Sequence, residues 1–368
     1  MSYGLVAADF NGIGAASIVQ TSTIKSGAPP FAGNLKAYLS TGPGAFAAPV
    51  LISDGNDPLY LASADINHDG VPDIVSASFE DGALAVFLNN PSSKGSFSAP
   101  IILASPGASQ VAVGDINGDG LPDLVSADYN VSLFVQAAPG TFAAAIPLYT
   151  GGANWVAVAD LNGDSAPDVA LTDNVGVKVL MHTGALTSTT FAAPVTVYAE
   201  TQGLLGANLI AIADVNGDGF NDLIITDPGP PDGSAPTVEV LLQDSAHPGQ
   251  FLAPVAYATA PQSLAQSIVV ADVNGDTLAD IIVGGTNAVS VLLQNPASPG
   301  AFLAPTNYTV QDANEVAVAD VNGDGLVDLV VATAATHPLV NGVSTNTPAV
   351  LLQVAGAPGT FAPVQNLP

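Results

Sequence analysis

The sequence predicts an all-β fold built from seven similar units, and three observations support this prediction. A nine-residue motif, Asp-x-Asn-x-Asp-Gly-x-x-Asp, recurs in intact or altered form from residues 9, 65, 115, 160, 214, 272 and 320. Each copy lies between two short apolar runs of strand length, and further short runs follow it. No stretch combines a helical period with capping residues. Strand-bearing repeats spaced near fifty residues apart are typical of a closed β-propeller.

One unit illustrates the plan of each blade. Residues 111–115 and 123–127 are predicted to form the strands that enter and leave the acidic loop, here called strands A and B. Residues 131–136 alternate between apolar and polar side chains as strand C, and 143–149 form strand D after a turn. A Phe-x-Ala-Pro motif recurs at the start of most D strands. Proline has no backbone N–H to donate, so it is suited to an outer edge strand, where one side forms no hydrogen bonds to another strand.

The repeats predict one domain, residues 1–368, that closes into a seven-bladed β-propeller of four-stranded antiparallel blades. The chain begins in a strand A and ends in a strand D, so the ring is expected to close without strand exchange between the termini. The expected blades span approximately residues 1–53, 54–104, 105–150, 151–200, 201–259, 260–310 and 311–368.

The acidic loops have the composition of a binding site for a hard cation. Side-chain oxygens at motif positions 1, 3, 5 and 9, with the main-chain carbonyl of position 7, are ligands that Ca²⁺ prefers. Glycine at position 6 permits the positive φ of a sharp bend. Six loops are intact in their oxygen ligands, and each predicts one calcium site. The predicted ligands are Asp65, Asn67, Asp69, Val71 and Asp73; Asp115, Asn117, Asp119, Leu121 and Asp123; Asp160, Asn162, Asp164, Ala166 and Asp168; Asp214, Asn216, Asp218, Phe220 and Asp222; Asp272, Asn274, Asp276, Leu278 and Asp280; Asp320, Asn322, Asp324, Leu326 and Asp328.

The first copy of the motif, which starts at Asp9, is not expected to bind calcium. Ile13 and Ser17 stand where carboxylates belong, so six ions are expected, in blades 2 to 7. An EF-hand is the rival calcium motif, but it requires a glutamate at position 12 and flanking helices. Ser76 occupies position 12 of the second copy, and its flanks are predicted strands.

The charge balance excludes several classes of partner. The chain has 32 acidic residues and 4 lysines, a net charge of −28, which argues against nucleic acid and anionic lipid. It contains no cysteine, and no run of apolar residues is long enough to span a membrane. Calcium loops of this kind fill at extracellular calcium concentrations. We therefore expect a secreted or cell-surface protein, either monomeric or part of a larger multidomain chain.

The repeated motif resembles that of the FG-GAP family, also described as VCBS-type or integrin-alpha-like repeats, over essentially residues 5–366. The resemblance implies a propeller whose A–B loops bind Ca²⁺ through positions 1, 3, 5 and 9 and the carbonyl of position 7. Three features depart from the family pattern. The first loop is degenerate, and Ser165 and Thr277 replace the position-6 glycine. The short Phe-Gly and Gly-Ala-Pro motifs of the integrin repeats are nearly absent.

The face opposite the calcium loops is the expected site of ligand binding. It should carry the B–C and D–A connections, together with most acids outside the calcium loops: Asp54, Asp57, Glu80, Asp81, Asp128, Asp173, Glu200, Asp227, Asp232, Asp312 and Glu315. An aromatic ring beside carboxylates suits sugar binding. We assign the ligand site to Trp155, Tyr129, Glu80 and Asp81, although Trp155 could equally pack between blades.

The sequence favours a recognition or adhesion module over an enzyme. The four histidines are not grouped in a pattern typical of a catalytic or metal site. The sequence also contains no nucleophile elbow, phosphate-binding loop or zinc-binding helix motif. We therefore predict a non-catalytic, lectin-like module for a glycan or protein ligand. A carbohydrate-active lyase or dehydratase whose acidic face supplies a general base remains an alternative, and so does a purely structural spacer.

Overall fold

The computed structural model of the chain describes residues 4–24, 32–56, 58–127, 129–184, 189–199, 209–228, 236–333 and 348–366. Within these residues the protein contains β-strands and turns and no helix. Consequently, no described segment is a helix that could cross a membrane.

The strands form seven four-stranded antiparallel sheets, which confirms the predicted fold class. Two short hairpins, over residues 40–46 and 136–142, extend the C–D turns of blades 1 and 3. The strands of blades 1 to 3 are β1 (Leu5–Ala8), β2 (Ser17–Ile24), β3 (Ala32–Tyr38), β4 (Ser40–Gly42), β5 (Ala45–Phe46), β6 (Val50–Asn56), β7 (Pro58–Ala64), β8 (Asp73–Ser78), β9 (Ala83–Phe87), β10 (Ile101–Ala104), β11 (Gln110–Gly114), β12 (Asp123–Ala127), β13 (Val131–Phe134), β14 (Gln136–Ala138), β15 (Thr141–Phe142) and β16 (Ile146–Tyr149).

The remaining four blades repeat the plan with one strand for each of A, B, C and D. Their strands are β17 (Trp155–Ala159), β18 (Asp168–Asp173), β19 (Gly176–Leu180), β20 (Val195–Ala199), β21 (Ile210–Ala213), β22 (Asp222–Asp227), β23 (Thr237–Leu241), β24 (Val255–Ala258), β25 (Ala265–Ala271), β26 (Asp280–Gly285), β27 (Ala288–Leu292), β28 (Thr306–Thr309), β29 (Ala313–Ala319), β30 (Asp328–Thr333), β31 (Ala349–Leu351) and β32 (Gln365–Asn366).

The A strands form the inner ring of the propeller. Each contacts the A strand of the next blade, and β1 contacts both β7 and β29, so the ring closes between blades 1 and 7. The first sheet is complete within β1, β2, β3 and β6, and the last within β29 to β32. Closure without exchange of strands between the termini is therefore confirmed.

The hydrophobic core is divided into seven clusters, one in each seam between consecutive blades. The cluster between blades 7 and 1, for example, contains Leu5, Ile18 and Tyr38 from blade 1 and Val330 and Val350 from blade 7. Strands B and C supply most of these side chains, since successive residues of a strand point toward opposite neighbouring blades. The D strands are largely exposed, as expected for outer edges.

Candidate functional site

The A–B loops are folded by hydrogen bonds from the backbone to the motif's own side chains. In the loop of blade 2, Asp65 accepts hydrogen bonds from the backbone N–H of Asp69 at 3.0 Å and of Gly70 at 2.9 Å. Asn67 Oδ1 accepts from the N–H of Asp69 at 3.1 Å, and Asp69 Oδ1 accepts from that of Val71 at 3.1 Å. The motif therefore bends the chain locally, because each short side chain satisfies an N–H two to five residues ahead.

The aspartate at motif position 9 ties three parts of its blade together. Asp73 is fully buried, and its Oδ2 accepts from the N–H of Ile66 at 2.8 Å. Its Oδ1 accepts from the N–H of Asn89, at the end of strand C, at 2.7 Å. Burial raises the pKa of the Asp73 carboxyl to about 6, against the lowering effect of these hydrogen bonds. The equivalent buried aspartates are Asp123, Asp168, Asp222, Asp280 and Asp328.

A side-chain amide at the end of strand C completes this network. Gln243 Nε2 donates to the carbonyl of Asn221 at 2.8 Å, and Gln243 Oε1 accepts from the N–H of Gly249 at 3.2 Å. The amide thus joins the A–B loop to the C–D turn. The sequence analysis missed this residue, although a Gln or Asn six or eight residues before the recurring Phe was a visible signal. Equivalent amides are Asn89, Gln136, Gln294 and Gln353.

Two loop positions adopt left-handed backbone. At position 6, Ser165 and Thr277 have φ values of 68° and 71°, similar to the glycines that they replace. Position 4 is also left-handed, and His68 holds it with φ of 57° where the other six loops have glycine. The sequence predicted the bend at position 6 and missed the one at position 4.

The donor chemistry of the six loops fits Ca²⁺. Each loop offers three aspartates, one asparagine and a main-chain carbonyl within nine residues, all of them hard oxygen ligands. In the described residues, however, no three His, Cys, Asp or Glu side chains are gathered as a metal site. Asn67 Nδ2 instead donates to Asp69 Oδ2 at 3.0 Å, and the position-9 carboxylate binds backbone N–H groups with both oxygens.

The blade 1 loop keeps the bend with only one of the three motif carboxylates. Asp9 accepts from the N–H groups of Ile13 at 3.0 Å and Gly14 at 2.8 Å, as the first aspartate does elsewhere. Ser17 replaces the buried aspartate, and its Oγ accepts from the N–H of Ser40 at 3.0 Å. This loop therefore lacks the acidic oxygens at positions 5 and 9 that a calcium site requires.

The structure separates the residues assigned to the ligand site. Trp155 lies at the inner ring, where its indole packs edge-on against Tyr60 with ring centroids 5.1 Å apart. Both rings line a cavity of about 360 Å³ in the central channel, together with Gln110 and aliphatic side chains of the A strands. Trp155 therefore lines a different cavity from the cleft that Tyr129 borders.

Tyr129 lies instead in an open cleft on the face opposite the A–B loops. Its ring is 64% exposed and packs edge-on against Phe79, with centroids 5.9 Å apart. Gly107 forms part of the floor, and a Cβ added there would lie 2.8 Å from the Tyr129 ring. The cleft has a volume of about 200 Å³, and its polar lining includes Ser109, Asn154, Asp173 and Asn174.

The acids assigned to this face have different surroundings. Asp173 is buried and accepts hydrogen bonds from Tyr149 Oη at 2.7 Å and from Lys178 Nζ. Burial alone would raise the pKa of Asp173, but these hydrogen bonds hold it below its usual value. Glu80 is exposed in the same turn as Phe79, and Asp81 lines a different cleft, between blades 1 and 2. Asp57, Asp128, Glu200 and Asp232 lie outside the described residues, as does the side chain of Asp54.

Fold and loops together define a seven-bladed β-propeller with an acidic nine-residue loop between the inner strands of each blade. The chain belongs to the FG-GAP-like repeat family, whose model matches residues 27–76, 69–126, 115–171, 160–225, 214–283 and 272–331. Each matched segment ends in or just after the B strand that follows an acidic loop. No curated protein sequence matches the chain.

Solved structures share the fold at low sequence identity. A lectin from Agrocybe aegerita, described as recognising non-reducing terminal N-acetylglucosamine, has 21% identity and a TM-score of 0.56, over 83% of this chain and 80% of the lectin. A Lactobacillus plantarum protein has 14% identity and a TM-score of 0.58, over 94% of both chains. BBS1N, solved in complex with ARL6DN, has 11% identity and a TM-score of 0.52, over 90% of this chain and 89% of BBS1N. These similarities are at the level of the fold.

Proposed function

We propose that this protein is a secreted or cell-surface propeller, stabilised by calcium, that recognises a glycan and catalyses no reaction. The observation that carries this proposal is the exposed Tyr129–Phe79 pair bordering a polar cleft on the face opposite the A–B loops. Calcium would add positive charge to loops that each hold three carboxylates, which supports a structural role for the ion.

The cleft combines the two kinds of group that bind sugars. The exposed ring of Tyr129 offers an apolar face for the C–H groups of a pyranose, with its hydroxyl free to hydrogen-bond. Asn154 and Asn174 offer amide donors and acceptors beside it. A cleft of about 200 Å³ is small and open, so it suits one terminal sugar rather than a long chain.

The fold comparison supports a glycan as the ligand class. The Agrocybe aegerita propeller recognises a terminal sugar, whereas BBS1N was solved with a protein partner. A protein ligand is therefore the second candidate, but the described cleft is a pocket and not a broad apolar surface. Its buried carboxylate, Asp173, accepts hydrogen bonds from Lys178 and Tyr149 that hold its pKa below the usual value, and this lowered basicity is unlike a general base.

A glycan screen with turnover monitoring tests the proposal. We expect the calcium-loaded protein to bind one class of terminal sugar without forming product. Tyr129→Ala should weaken that binding at least about fivefold, since an aromatic contact contributes about 1 kcal/mol or more. Tyr129→Phe, which keeps the ring, should retain most of the affinity.

Val175→Ala is the matched control, because Val175 is 56% exposed and follows Asn174 in the same turn but does not line the cleft. Formation of product would instead support a lyase or dehydratase. Glycan binding that Tyr129→Ala leaves unchanged would contradict the assigned cleft. If no glycan in the screen binds, the proposed function is contradicted, and a protein becomes the favoured class of ligand.

A further inference from the structure

Four of the seven seams are filled by a tyrosine from strand D. Tyr149 and Tyr198 reach across to the next blade and donate to Asp173 at 2.7 Å and Asp227 at 3.1 Å. Tyr257 and Tyr308 pack instead against phenylalanines of the next blade, with ring centroids 5.5 Å and 5.6 Å apart. All four lie at the same register, opposite Val131, Val177, Val238 and Val289 of strand C.

The seam between blades 1 and 2 lacks this tyrosine. Ile52 occupies the equivalent register, opposite Leu35. On the facing side of the seam, strand C of blade 2 presents Ala83 and Ala85, so neither wall replaces the missing ring. Phe97 does not meet a tyrosine here and packs on Phe10 of blade 1, with centroids 5.9 Å apart. The result is an open cleft of about 980 Å³, the size of a small-molecule site.

The walls of this cleft are mostly aliphatic. Val50, Leu51 and Ile102 line it and are 48%, 62% and 60% exposed. Three large exposed aliphatic side chains around one concavity are unusual unless something covers them. The edges of the cleft are polar, with Ser78 beside the B–C turn and Ser96 and Ser98 in the C–D turn.

The charge of the cleft restricts its occupant. Among the described residues that line the cleft, Asp81 is the one ionisable side chain, and Ser78 Oγ donates to Asp81 Oδ2 at 3.3 Å. The whole chain carries a net charge of −28, which repels anionic amphiphiles such as fatty acids. A cationic head near Asp81 and an apolar body along the aliphatic walls would match both properties.

We propose that the cleft between blades 1 and 2 binds a small amphiphile with an aliphatic body and an ammonium head. The aliphatic body replaces the ring that strand D supplies in four other seams. The ammonium group is placed by Asp81 at the face opposite the A–B loops. This site is separate from the Tyr129 cleft and does not depend on glycan recognition.

Octylammonium, titrated calorimetrically below its micellar concentration in calcium buffer, is a suitable probe. We expect one site per chain, with affinity at least about tenfold higher than for octanoate or for propylammonium. Propylammonium carries the same charge with a shorter chain, so it controls for non-specific attraction to an acidic protein. Ile52→Tyr should reduce octylammonium affinity at least about tenfold, because the ring fills the cleft as it does elsewhere.

Two surface variants keep the test valid if Ile52→Tyr fails to fold. Ile102→Lys places a cation at the rim and should reverse the preference, favouring octanoate over octylammonium. Asp81→Asn should weaken octylammonium binding, while Asp312→Asn, the same charge change in the loop before strand A of blade 7, should leave it unchanged. The proposal is overturned if octylammonium does not bind, if octanoate binds equally well, or if a folded Ile52→Tyr variant binds as the wild type does.

Discussion

At the scale of single residues, the left-handed positions of the A–B loops decide how much strain each loop carries. Glycine adopts φ near 85° at position 6 without steric cost, but Thr277 holds φ of 71° with a β-branched side chain. For a residue with a Cβ, left-handed backbone costs about 1–2 kcal/mol. The Thr277 loop is therefore expected to bind calcium most weakly of the six.

Replacing Thr277 with glycine should raise both the calcium affinity of its loop and the stability of the protein. Relief of strain, offset by the greater freedom of glycine in the unfolded chain, predicts a gain of about 1 kcal/mol in the free energy of unfolding. Urea unfolding in excess calcium measures it. The reverse change, Gly325→Thr, is the matched control and should destabilise. Equal stabilities of wild type and Thr277→Gly would refute the strain argument.

At the scale of the strand, each blade is stabilised by a network of polar side chains as well as by the backbone hydrogen bonds between its strands. The position-9 aspartate joins the A–B loop to the end of strand C, and the amide at that end joins the same loop to the C–D turn. These groups are buried, so losing one partner leaves others unsatisfied. The motif aspartates therefore stabilise the blade through hydrogen bonds, independently of any bound metal.

Gln243→Ala should destabilise the protein by about 1–3 kcal/mol, since it leaves the carbonyl of Asn221 and the N–H of Gly249 without their partner. Chemical unfolding in calcium buffer measures the loss. Gln250→Ala provides the control, because Gln250 is exposed in the same turn. If both variants unfold at the same urea concentration as the wild type, the Gln243 amide does not contribute to the stability of the blade.

At the scale of the whole molecule, acidic charge is concentrated in one layer of the ring. The six intact loops hold eighteen of the 32 acids. Three carboxylates within nine residues repel one another unless a cation is bound. The propeller is therefore expected to be most stable in its calcium-loaded form.

Removing calcium at neutral pH should lower the melting temperature by tens of degrees or unfold the ring. A site at a hundredfold excess of ligand over Kd contributes about 2.7 kcal/mol, and several sites together would exceed the roughly 5–15 kcal/mol stability of an ordinary domain. Thermal melts with calcium, with chelator, and with chelator plus magnesium measure this effect, and metal analysis should find six ions per chain. Magnesium should rescue poorly, because it demands a tighter octahedron. An unchanged melt in chelator would exclude structural metal sites.

The buried aspartates also predict an unusual pH dependence for the calcium-free protein. Burial raises the pKa of Asp73, Asp123, Asp168, Asp222 and Asp280 to about 6, above the value near 3.8 of an exposed carboxyl. The native state then binds more protons than the unfolded state between these values, so stability falls as pH rises from about 4 to about 6.

Urea unfolding in chelator across this pH range measures the slope. Excess calcium should reverse the slope, because the ligands must be ionised to bind the ion. Asp123→Asn should flatten the slope in chelator, since one of the contributing groups no longer titrates. A calcium-free stability that stays constant or rises between pH 4 and pH 6 would contradict the prediction.

The sequence by itself determined the repeat, the order of strands in each blade, the closure of the ring and the bend at loop position 6. Closure follows from the number of repeats, and the other features depend on interactions between residues close in the chain. A Phe-x-Ala-Pro motif marks strand D, for instance, and Asp65 reaches an N–H only five residues away. Such local patterns recur in most of the seven units, so each copy reinforces the interpretation of the others.

Only the tertiary structure decided what lies in the seams and clefts. Tyr60 meets Trp155, Phe79 meets Tyr129, and Ile52 leaves a cleft against Ala85, all through contacts between different blades. The repeat spacing places these residues in the same layer but does not say which side chain fills which seam. That choice depends on side-chain volume and on the direction in which each strand residue points, and both act between residues about one or two blades apart.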